Sequence, residues 1–399
     1  MNIKSEKIRN TMLMVTLICV TIALMGDMVI IPVAGNIFEE YANANMAVLN
    51  FILSGPALIG AFSGLIAGKL MQYLSKKKLL LVSFAIFSVG AIFGYTVHDA
   101  NYMAAMRVLV GIGMGMVSVI AMAIIADVFV DEDKRSSMVG VYNGGMAAVG
   151  AALGWISGFV ATLGWTTVFY IYLVAIPILV MIIFFIPADK VTVTGAVDQT
   201  QAGSGNDQIN WLSLMALCGA FLIFNIIYCI VYYKISMIVS EKAIGDVAFV
   251  GTLSALGTIG SFIACMFFGK YYAVLKRATP ILAYVLMALC FCLLYFSANP
   301  AIASVACTLL GATYGVGISY YFMHCTMIVP ESQIPISISF TSFAMSIGSF
   351  LSVYVAAFIQ GFMGVETITE IMPILIGILL IGAVLSAILT IKEKKAAKL

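Results

Sequence analysis

An arginine and an aspartate lie well inside apolar stretches of this sequence, where a charge is costly. Arg107 is the one charged residue between Asn101 and Ala126. A guanidinium keeps its charge inside a protein, and placing it within a lipid bilayer costs at least about 2.5 kcal/mol. We therefore expect a polar group to face Arg107.

Asp27 is the one acidic residue well inside an apolar stretch. A carboxylate at such a position can exchange a proton, and its charge depends on its burial and on nearby cations. An intramembrane carboxylate is a candidate functional group, and a packing role without a change of charge is the alternative. Pro32 follows five residues later, and it can bend the helix and free backbone carbonyls near Asp27.

The composition is that of an integral membrane protein. Of the 399 residues, 63% are hydrophobic and 10% are charged, and the mean hydropathy is +1.11. Soluble globular domains contain about 25% charged residues. The net charge of +2 is too small to indicate nucleic-acid binding.

Twelve apolar runs are long enough to cross a membrane as helices, which requires about 20 mostly apolar residues. They lie at 11–34, 46–71, 79–97, 101–126, 137–161, 165–187, 211–233, 247–269, 279–298, 300–329, 334–361 and 371–391. The long polar segment after the sixth run is rich in Gly, Thr, Ser, Gln and Asp, a composition typical of flexible linkers. The sequence predicts an all-α membrane protein of two six-helix bundles, 1–187 and 211–399, joined by a cytoplasmic linker over 188–210.

The basic residues sort to one side of the predicted membrane. With the N-terminus inside, 17 of the 20 Lys and Arg residues fall in inside segments, Lys234 and Lys242 fall outside, and Arg107 lies in the membrane. Inside loops carry the excess of Lys and Arg in membrane proteins. We predict a multi-pass protein of the cytoplasmic (inner) membrane, with a retained first helix and both termini in the cytoplasm.

The sequence gives little support to other classes of protein. All eight cysteines fall inside apolar runs, without the spacing of a metal site. The two histidines lie far apart in the chain, so we find no catalytic constellation, and there is no Gly-x-x-x-x-Gly-Lys-Ser/Thr loop for ATP. We expect no enzyme activity, cofactor, metal or nucleic-acid partner.

The loop after the second helix recurs in the two halves. It begins with Gly68-Lys69 in the first half and with Gly269-Lys270 in the second, and both loops end in basic residues. Six positions of the first loop share the spacing of a Gly-x-x-x-Asp-Arg-x-Gly-Arg-Arg/Lys signature: Gly68, Gln72, Tyr73, Ser75, Lys76 and Lys77.

With this loop, the chain resembles the major facilitator superfamily over nearly its whole length, in particular the drug and metabolite proton antiporters. The resemblance implies transport of a small molecule by alternating access. The residues it places in conformational motifs are Gly68, Gln72, Lys76, Lys77, Gly111, Gly150 and Gly154. Gln72 stands where the family has an aspartate, so the charge that the family uses to hold this loop is missing here.

The fourth helix also resembles the family, because Arg107, Gly111 and Gly113 match an Arg-x-x-x-Gly-x-Gly pattern. The resemblance implies that Arg107 takes part in proton coupling, and we expect Asp27 to be the proton acceptor with Arg107 as its electrostatic partner. The alternative is an arginine that holds helices together through backbone carbonyls. Glycines at this spacing, including Gly115, also allow close helix packing.

Glycines of the fifth helix resemble the family's Gly-rich helix. Gly150 and Gly154 belong to this stripe, and a Gly164-Trp165 turn follows it. Ala151 stands after Gly150, where antiporters of the family usually have proline. Close helix packing is the alternative role of the stripe.

If the resemblance holds, helices 1, 4, 7 and 10 line a central cavity that binds the substrate. Polar and aromatic residues share faces of helices 7 and 10 at helical spacing. The predicted substrate-binding residues are Asn225, Tyr228, Tyr232, Lys234, Thr313, Tyr320, Tyr321 and His324.

Three basic or titratable residues allow more than one role. Lys234 is either a lysine that reaches the membrane interface or a cation at the cavity mouth that selects anions. His324 either forms a helix–helix hydrogen bond or titrates as a gate. His98, in an outside loop beside Asp99, is expected to be exposed.

The sequence as a whole favours a monomeric, proton-coupled exporter of a small organic molecule. The 24 Met, 18 Tyr and 25 Phe residues can form a soft cavity wall suited to amphipathic or hydrophobic substrates. One alternative is uptake of an organic anion, by proton symport or facilitated diffusion, with Arg107 and Lys234 as the anion-binding cations. A lipid flippase is the other alternative.

Overall fold

The fold is described by a computed structural model over residues 3–71, 73–129, 132–187, 211–296, 298–330 and 334–396. These ranges contain fifteen α-helices and no strand. The helices are α1 (Ile3–Val20), α2 (Asp27–Ile30), α3 (Ala34–Glu40), α4 (Met46–Leu70), α5 (Lys76–Ile92), α6 (Ala100–Val128), α7 (Glu132–Ala161), α8 (Ala175–Phe185), α9 (Trp211–Glu241), α10 (Val247–Met266), α11 (Phe268–Leu275), α12 (Thr279–Phe296), α13 (Pro300–Met327), α14 (Ile334–Met363) and α15 (Ile368–Ala396). Three 3-10 helices complete the set: Ile31–Val33, Trp165–Val174 and Lys276–Ala278.

Ten helical segments of the described chain are long and apolar enough to cross a membrane. They correspond to ten of the twelve predicted runs, and the Trp165–Phe185 segment joins a 3-10 helix to α8. The third run forms α5, which has 17 residues and starts with three lysines. The first run is interrupted after α1. The predicted all-α membrane fold is therefore confirmed.

The chain divides into two compact units, Met1–Asp198 and Gln199–Leu399. The division falls within the segment 188–210, which the sequence predicts as a linker and which lies outside the described residues. The first unit contains helices α1 to α8, and the second contains α9 to α15.

The first membrane run breaks directly before Asp27. Residues 21–26 form turns, in which the N–H groups of residues 21 to 24 bond to carbonyls three positions back. This tighter pattern replaces the α-helical one. A second irregularity, the 3-10 helix Ile31–Val33, surrounds Pro32. The helix is thus irregular around Pro32, and a longer break precedes Asp27.

Helices α4 and α6 cross in close contact at glycines of the first unit. A methyl group at Gly115 of α6 would overlap the carbonyl oxygen of Gly60 on α4. At the same crossing, Ser63 Oγ donates to the carbonyl oxygen of Gly111 at 3.2 Å. Interhelical contact through small residues and hydroxyls is how membrane helices associate. Gly111 and Gly115 therefore serve close packing.

A carboxylate joins two helix ends in the second unit. Glu241, the last residue of α9, accepts the N–H of Ile368 at 2.7 Å and the N–H of Thr369 at 2.9 Å. These N–H groups begin α15, where an intrahelical partner is missing and the helix dipole favours a negative charge. Glu241 therefore fixes the start of α15 against the end of α9.

We expect Gly115→Ala to lower the stability of the purified protein by about 1–3 kcal/mol, because the new methyl group overpacks the α4–α6 crossing. The measurement is the midpoint of thermal unfolding in detergent. Gly140→Ala is the matched control, since a methyl group there meets no atom within 4 Å. A Gly115→Ala variant as stable as this control would contradict the assigned packing role.

Candidate functional site

The two charged residues predicted from the apolar runs form an ion pair in the first unit. Arg107 of α6 donates through Nη2 to Oδ1 of Asp27, the first residue of α2. Arg107 Nε also donates to the carbonyl oxygen of Ile52 on α4 at 2.8 Å. The side chains of Arg107 and Asp27 are only 4% and 14% exposed. Arg107 thus pairs with a carboxylate and also binds a helix carbonyl, which is the contact expected for an arginine that holds helices together.

Neighbouring side chains satisfy the carbonyls around the break that presents Asp27. Tyr172 donates its hydroxyl to the carbonyl oxygen of Gly26 at 2.7 Å. Ser157 of α7 donates to the carbonyl oxygen of Val29 at 2.6 Å. Broken helices persist at membrane depth when other groups satisfy the freed backbone. Tyr172 and Ser157 therefore hold the chain on both sides of Asp27.

The chemistry open to this pair is proton exchange at Asp27. Arg107 cannot give up its proton, whereas a carboxylate can be charged or neutral. Loss of the carboxylate charge would leave the guanidinium buried with the carbonyl of Ile52. Removing one partner of a buried pair costs about 3–5 kcal/mol in soluble proteins, so the pair stabilises the contact between the break and α6.

In the second unit, the predicted binding residues of α9 and α13 form an aromatic column. Tyr228 and Tyr314 stack with ring centroids 3.9 Å apart and planes 9° apart. Tyr232 stacks on Tyr228 at 5.7 Å, and Phe221 stacks on Tyr321 at 4.8 Å. The α9 residues from 221 to 232 span about 16 Å along the helix axis. The shared face predicted for Tyr228 and Tyr232 is therefore real, and Tyr314 belongs to the same cluster.

Asn225 joins three helices of the second unit. Its Nδ2 donates to the carbonyl oxygen of Met345 at 2.6 Å and to Ser349 Oγ at 3.0 Å. Its Oδ1 accepts from the Tyr314 hydroxyl at 3.0 Å and from Cys229 Sγ at 3.7 Å. Two donors and two acceptor positions are the full capacity of this amide, and Asn225 is fully buried. The geometry favours a structural role over the predicted substrate contact.

Lys234 and Thr313 are buried within the second unit. Lys234 is 4% exposed, so its side chain is enclosed by the second unit, and the two roles predicted for it stay predictions. Thr313 is 1% exposed, and its hydroxyl donates to the carbonyl oxygen of Leu309 on its own helix at 2.7 Å.

The predicted residues near the end of α13 pack through their rings. The Tyr320 and His324 rings stack with centroids 5.3 Å apart. The hydroxyls of Tyr321 and Tyr284 share a hydrogen bond of 2.9 Å. Tyr320 and Tyr321 are buried, whereas His324 is half-buried. These contacts tie His324 to the Tyr321 end of the aromatic column.

Two lysines of the predicted conformational motif contact other helices at one end of the first unit. Lys76 forms an ion pair with Asp127 near the end of α6, and Lys77 donates to the carbonyl oxygen of Ile183 at 2.6 Å. Gly68 has open space beside it, and Gln72 lies outside the described residues. The glycines of the fifth predicted helix, Gly150 and Gly154, are buried on α7.

His98 takes part in a cluster at the predicted outer end of the first unit, although its side chain is exposed, as expected. Its Nε2 lies 3.1 Å from Glu40 Oε1, and its Nδ1 shares a hydrogen bond of 2.9 Å with the Tyr95 hydroxyl. The ring of Tyr41 lies 5.3 Å away. Burial, followed by the nearby Tyr95 and Glu40, raises the pKa of Tyr41 to about 12, so this tyrosine stays protonated at neutral pH.

No cluster in the described part of the chain is suited to a metal ion. Within it, His, Cys, Asp and Glu side chains do not gather in groups of three or more with a suitable arrangement. The eight cysteines are free, and five of them are buried.

Ten apolar helical segments in the described part of the chain are typical of a multi-pass membrane protein. A family model of the Major Facilitator Superfamily matches residues 16–353. The chain therefore belongs to this superfamily.

Two proteins of Mycobacterium tuberculosis are similar to part of the chain. They are the uncharacterized MFS-type transporters MT1926 (strain CDC 1551 / Oshkosh) and Rv1877 (strain ATCC 25618 / H37Rv), each 27% identical over 157 residues. The match covers 38% of this chain and 22% of each relative, so it spans about a fifth of the length of these relatives.

Solved transporter structures share the fold. The nucleoside transporter NupG is similar with a TM-score of 0.73 at 11% identity, over 94% of this chain and 98% of that chain. The human organic anion transporter MFSD10 (TETRAN) is similar with a TM-score of 0.65 at 14% identity, over 95% and 99% of the two chains. At these identities the likeness concerns the fold alone.

A double-mutant cycle tests whether Arg107 and Asp27 depend on each other. We expect Arg107→Ala and Asp27→Ala each to destabilise the protein by about 3–5 kcal/mol, because each leaves a buried charge without its partner. The double variant should be clearly more stable than the sum of the two single losses predicts. Thermal unfolding in detergent measures all four proteins, and additive losses would contradict an energetic pair.

Proposed function

We propose that this protein is a proton-coupled exporter of a small organic molecule, working by alternating access in the cytoplasmic membrane with both termini inside. Asp27 is the proton acceptor, and Arg107 is its electrostatic partner. The observation that carries the proposal is their buried ion pair at the break of the first membrane helix.

The proposed cycle couples the charge of Asp27 to the position of its helix. In the ionised state, Arg107 links the segment that carries Asp27 to α6, and it links α6 to Ile52 of α4. When Asp27 is protonated, the charge attraction between Asp27 and Arg107 is lost. The free energy of this arrangement of the three helices then changes relative to other arrangements. A proton gradient acts on transport through this difference, because a ligand shifts an equilibrium only by its differential affinity for the two states.

Other predicted residues enter the proposal with separate roles. We assign the conformational motif to Gly68, Gln72, Lys76 and Lys77, and the wall of the substrate site to the aromatic column of α9 and α13. The column favours an amphipathic or hydrophobic substrate, since aromatic side chains bury large apolar areas. Its hydroxyl groups provide a few polar contacts for orientation.

We expect Asp27→Asn to abolish gradient-driven transport while the protein still folds. Asparagine has nearly the same shape as aspartate but cannot take up the coupling proton. The measurement uses proteoliposomes with an imposed proton gradient and a panel of fluorescent amphipathic probes that includes ethidium. Glu39→Gln is the matched control, because Glu39 is an exposed carboxylate near the same membrane run. Full gradient-driven transport by a folded Asp27→Asn protein would overturn the proposal.

A second candidate function is the uptake of an organic anion, with Lys234 as the cation that selects it. The observation in its favour is the burial of Lys234 in the second unit. A buried ammonium attracts an anion more strongly than an exposed one does, because the protein interior screens charges less than water. A substrate carboxylate has the charge that such a site would select.

The direction of accumulation separates the two candidates. For uptake by symport, an inward proton gradient should concentrate benzoate inside right-side-out vesicles, and Lys234→Gln should reduce this uptake at least about tenfold, as expected when a charged hydrogen bond is lost. Lys242→Gln is the control, since Lys242 bonds to the carbonyl oxygen of Tyr295 and is expected outside the membrane. A fall in the amount of benzoate inside the vesicles under the same gradient supports export and opposes uptake.

A further inference from the structure

The two units repeat one helix crossing with the same register. In the first unit, a methyl group at Gly111 of α6 would lie 2.9 Å from the carbonyl oxygen of Pro56 on α4. In the second unit, a methyl group at Gly311 of α13 would overlap the carbonyl oxygen of Gly257 on α10. Gly311 therefore corresponds to Gly111, and Gly257 corresponds to Pro56.

The neighbouring turn of each crossing supports this correspondence. A methyl group at Gly115 would overlap the carbonyl oxygen of Gly60, and a methyl group at Gly315 would lie 2.5 Å from the carbonyl oxygen of Ser261. Each pair lies four residues after the previous one on both helices. The register thus holds over at least one full helical turn.

One turn earlier on both helices, the same register places the ion pair of the first unit and a cavity of the second unit at equivalent positions. Four residues before Gly111 is Arg107, and four residues before Gly311 is Cys307. Four residues before Pro56 is Ile52, which binds Arg107, and four residues before Gly257 is Leu253. Cys307 and Leu253 both line a cavity between α9, α10 and α13. The second unit therefore has an empty space where the first unit has its arginine.

The third side of this cavity is aromatic. In the first unit the opening membrane run supplies Asp27 to Arg107, and in the second unit the opening helix α9 supplies Tyr228 and Tyr232 to the cavity. Tyr228 is held in place by its stack with Tyr314 at 3.9 Å. A rigid ring at the wall of a cavity favours a flat partner, because offset stacking adds to the burial of apolar area.

The remaining lining defines the chemistry of the ligand. The cavity encloses about 370 Å³ of atom-free space, including its open mouth, and no charged residue is among the described residues that line it. Ser254 Oγ donates to Val250 at 3.0 Å and Thr258 Oγ1 donates to Ser254 at 3.0 Å, in each case to a backbone carbonyl. The Ser254 hydroxyl is thus used as a donor and can accept a hydrogen bond from a ligand. The lining suits an uncharged ring with few polar groups at its edge.

We propose that this cavity binds an aromatic ring of the transported molecule, so that one repeat carries the proton site and the other carries a ring-binding site at the equivalent position. The inference rests on the proposed function, since it names the substrate class of the same transport cycle. The substrate is then a molecule with an uncharged aromatic part, and a hydroxyl or amine on the ring donates to Ser254.

The test compares the binding of 2-naphthol and its saturated analogue decahydro-2-naphthol to the full-length protein in detergent by calorimetry, with matched micelle blanks. We expect 2-naphthol to bind at least about threefold more tightly, because only the aromatic ring stacks. Ser254→Leu should weaken its binding about tenfold by filling the cavity. Thr252→Leu is the matched control, since Thr252 also bonds to its own helix on α10 but does not line the cavity.

Two further variants keep the test decisive if Ser254→Leu fails to fold. Gly257→Ala adds one methyl group to the lining at an ordinary contact distance of 3.5 Å from the carbonyl oxygen of Cys307, and it should weaken 2-naphthol binding. Tyr232→Leu should remove the preference for the aromatic ring. Wild-type binding in these variants, or equal binding of both compounds, would overturn the inference, and preference for the saturated analogue would overturn it in favour of a site for hydrocarbon chains.

The outcome is independent of the proton-coupling proposal, because binding is measured without a gradient. If Asp27→Asn stops transport but the cavity variants bind like the wild type, the ring-binding site is wrong and the coupling proposal stands. If the cavity variants lose binding but Asp27→Asn transports normally, the reverse holds.

Discussion

The permanent charge of Arg107 is the constraint on which the first unit depends. A guanidinium that is 4% exposed in an apolar helix needs hydrogen-bond acceptors, and the unit provides two of different kinds. The carbonyl of Ile52 is a fixed acceptor, whereas the carboxylate of Asp27 can change its charge. Because the arginine cannot titrate, any proton exchanged within this pair belongs to Asp27.

The break in the first membrane run makes this arrangement possible. Turns at 21–26 precede Asp27, and the 3-10 helix Ile31–Val33 follows α2. Tyr172 and Ser157 donate to the carbonyl oxygens of Gly26 and Val29, on either side of Asp27. Glycines of α6 bring α4 close enough for Ile52 to reach Arg107. The helix break thus positions Asp27 beside Arg107, and the close α4–α6 crossing positions Ile52 beside the same arginine.

Charged residues within apolar runs, and the apolar runs themselves, can be predicted from this sequence. Arg107 and Asp27 stand out because the bilayer penalises a charged residue within an apolar run, and the runs themselves are recognisable because spanning helices need about 20 residues. The partner Ile52 is not predictable, because it contributes a backbone carbonyl that every residue has. The break at 21–26 is equally hidden, since one threonine and one glycine among apolar residues are common in membrane helices that are not broken.

In the second unit, spacing predicts which residues share a face but not what that face contacts. Tyr228 and Tyr232 do stack, as their spacing on one helix indicates. Asn225 shares the face, yet its amide is used to join α9 to α13 and α14. Burial of Lys234 depends on packing around α9, which composition does not reveal. These distinctions require the positions of neighbouring helices.

The central claim is that Asp27 takes up and releases a proton while it is buried beside Arg107. Infrared difference spectra of the purified protein between alkaline and acidic pH test this claim without a substrate. The account predicts a carboxylic-acid band that titrates in the wild type and in Glu39→Gln but is missing in Asp27→Asn. Identical spectra for the wild type and Asp27→Asn over the pH range in which transport operates would contradict it.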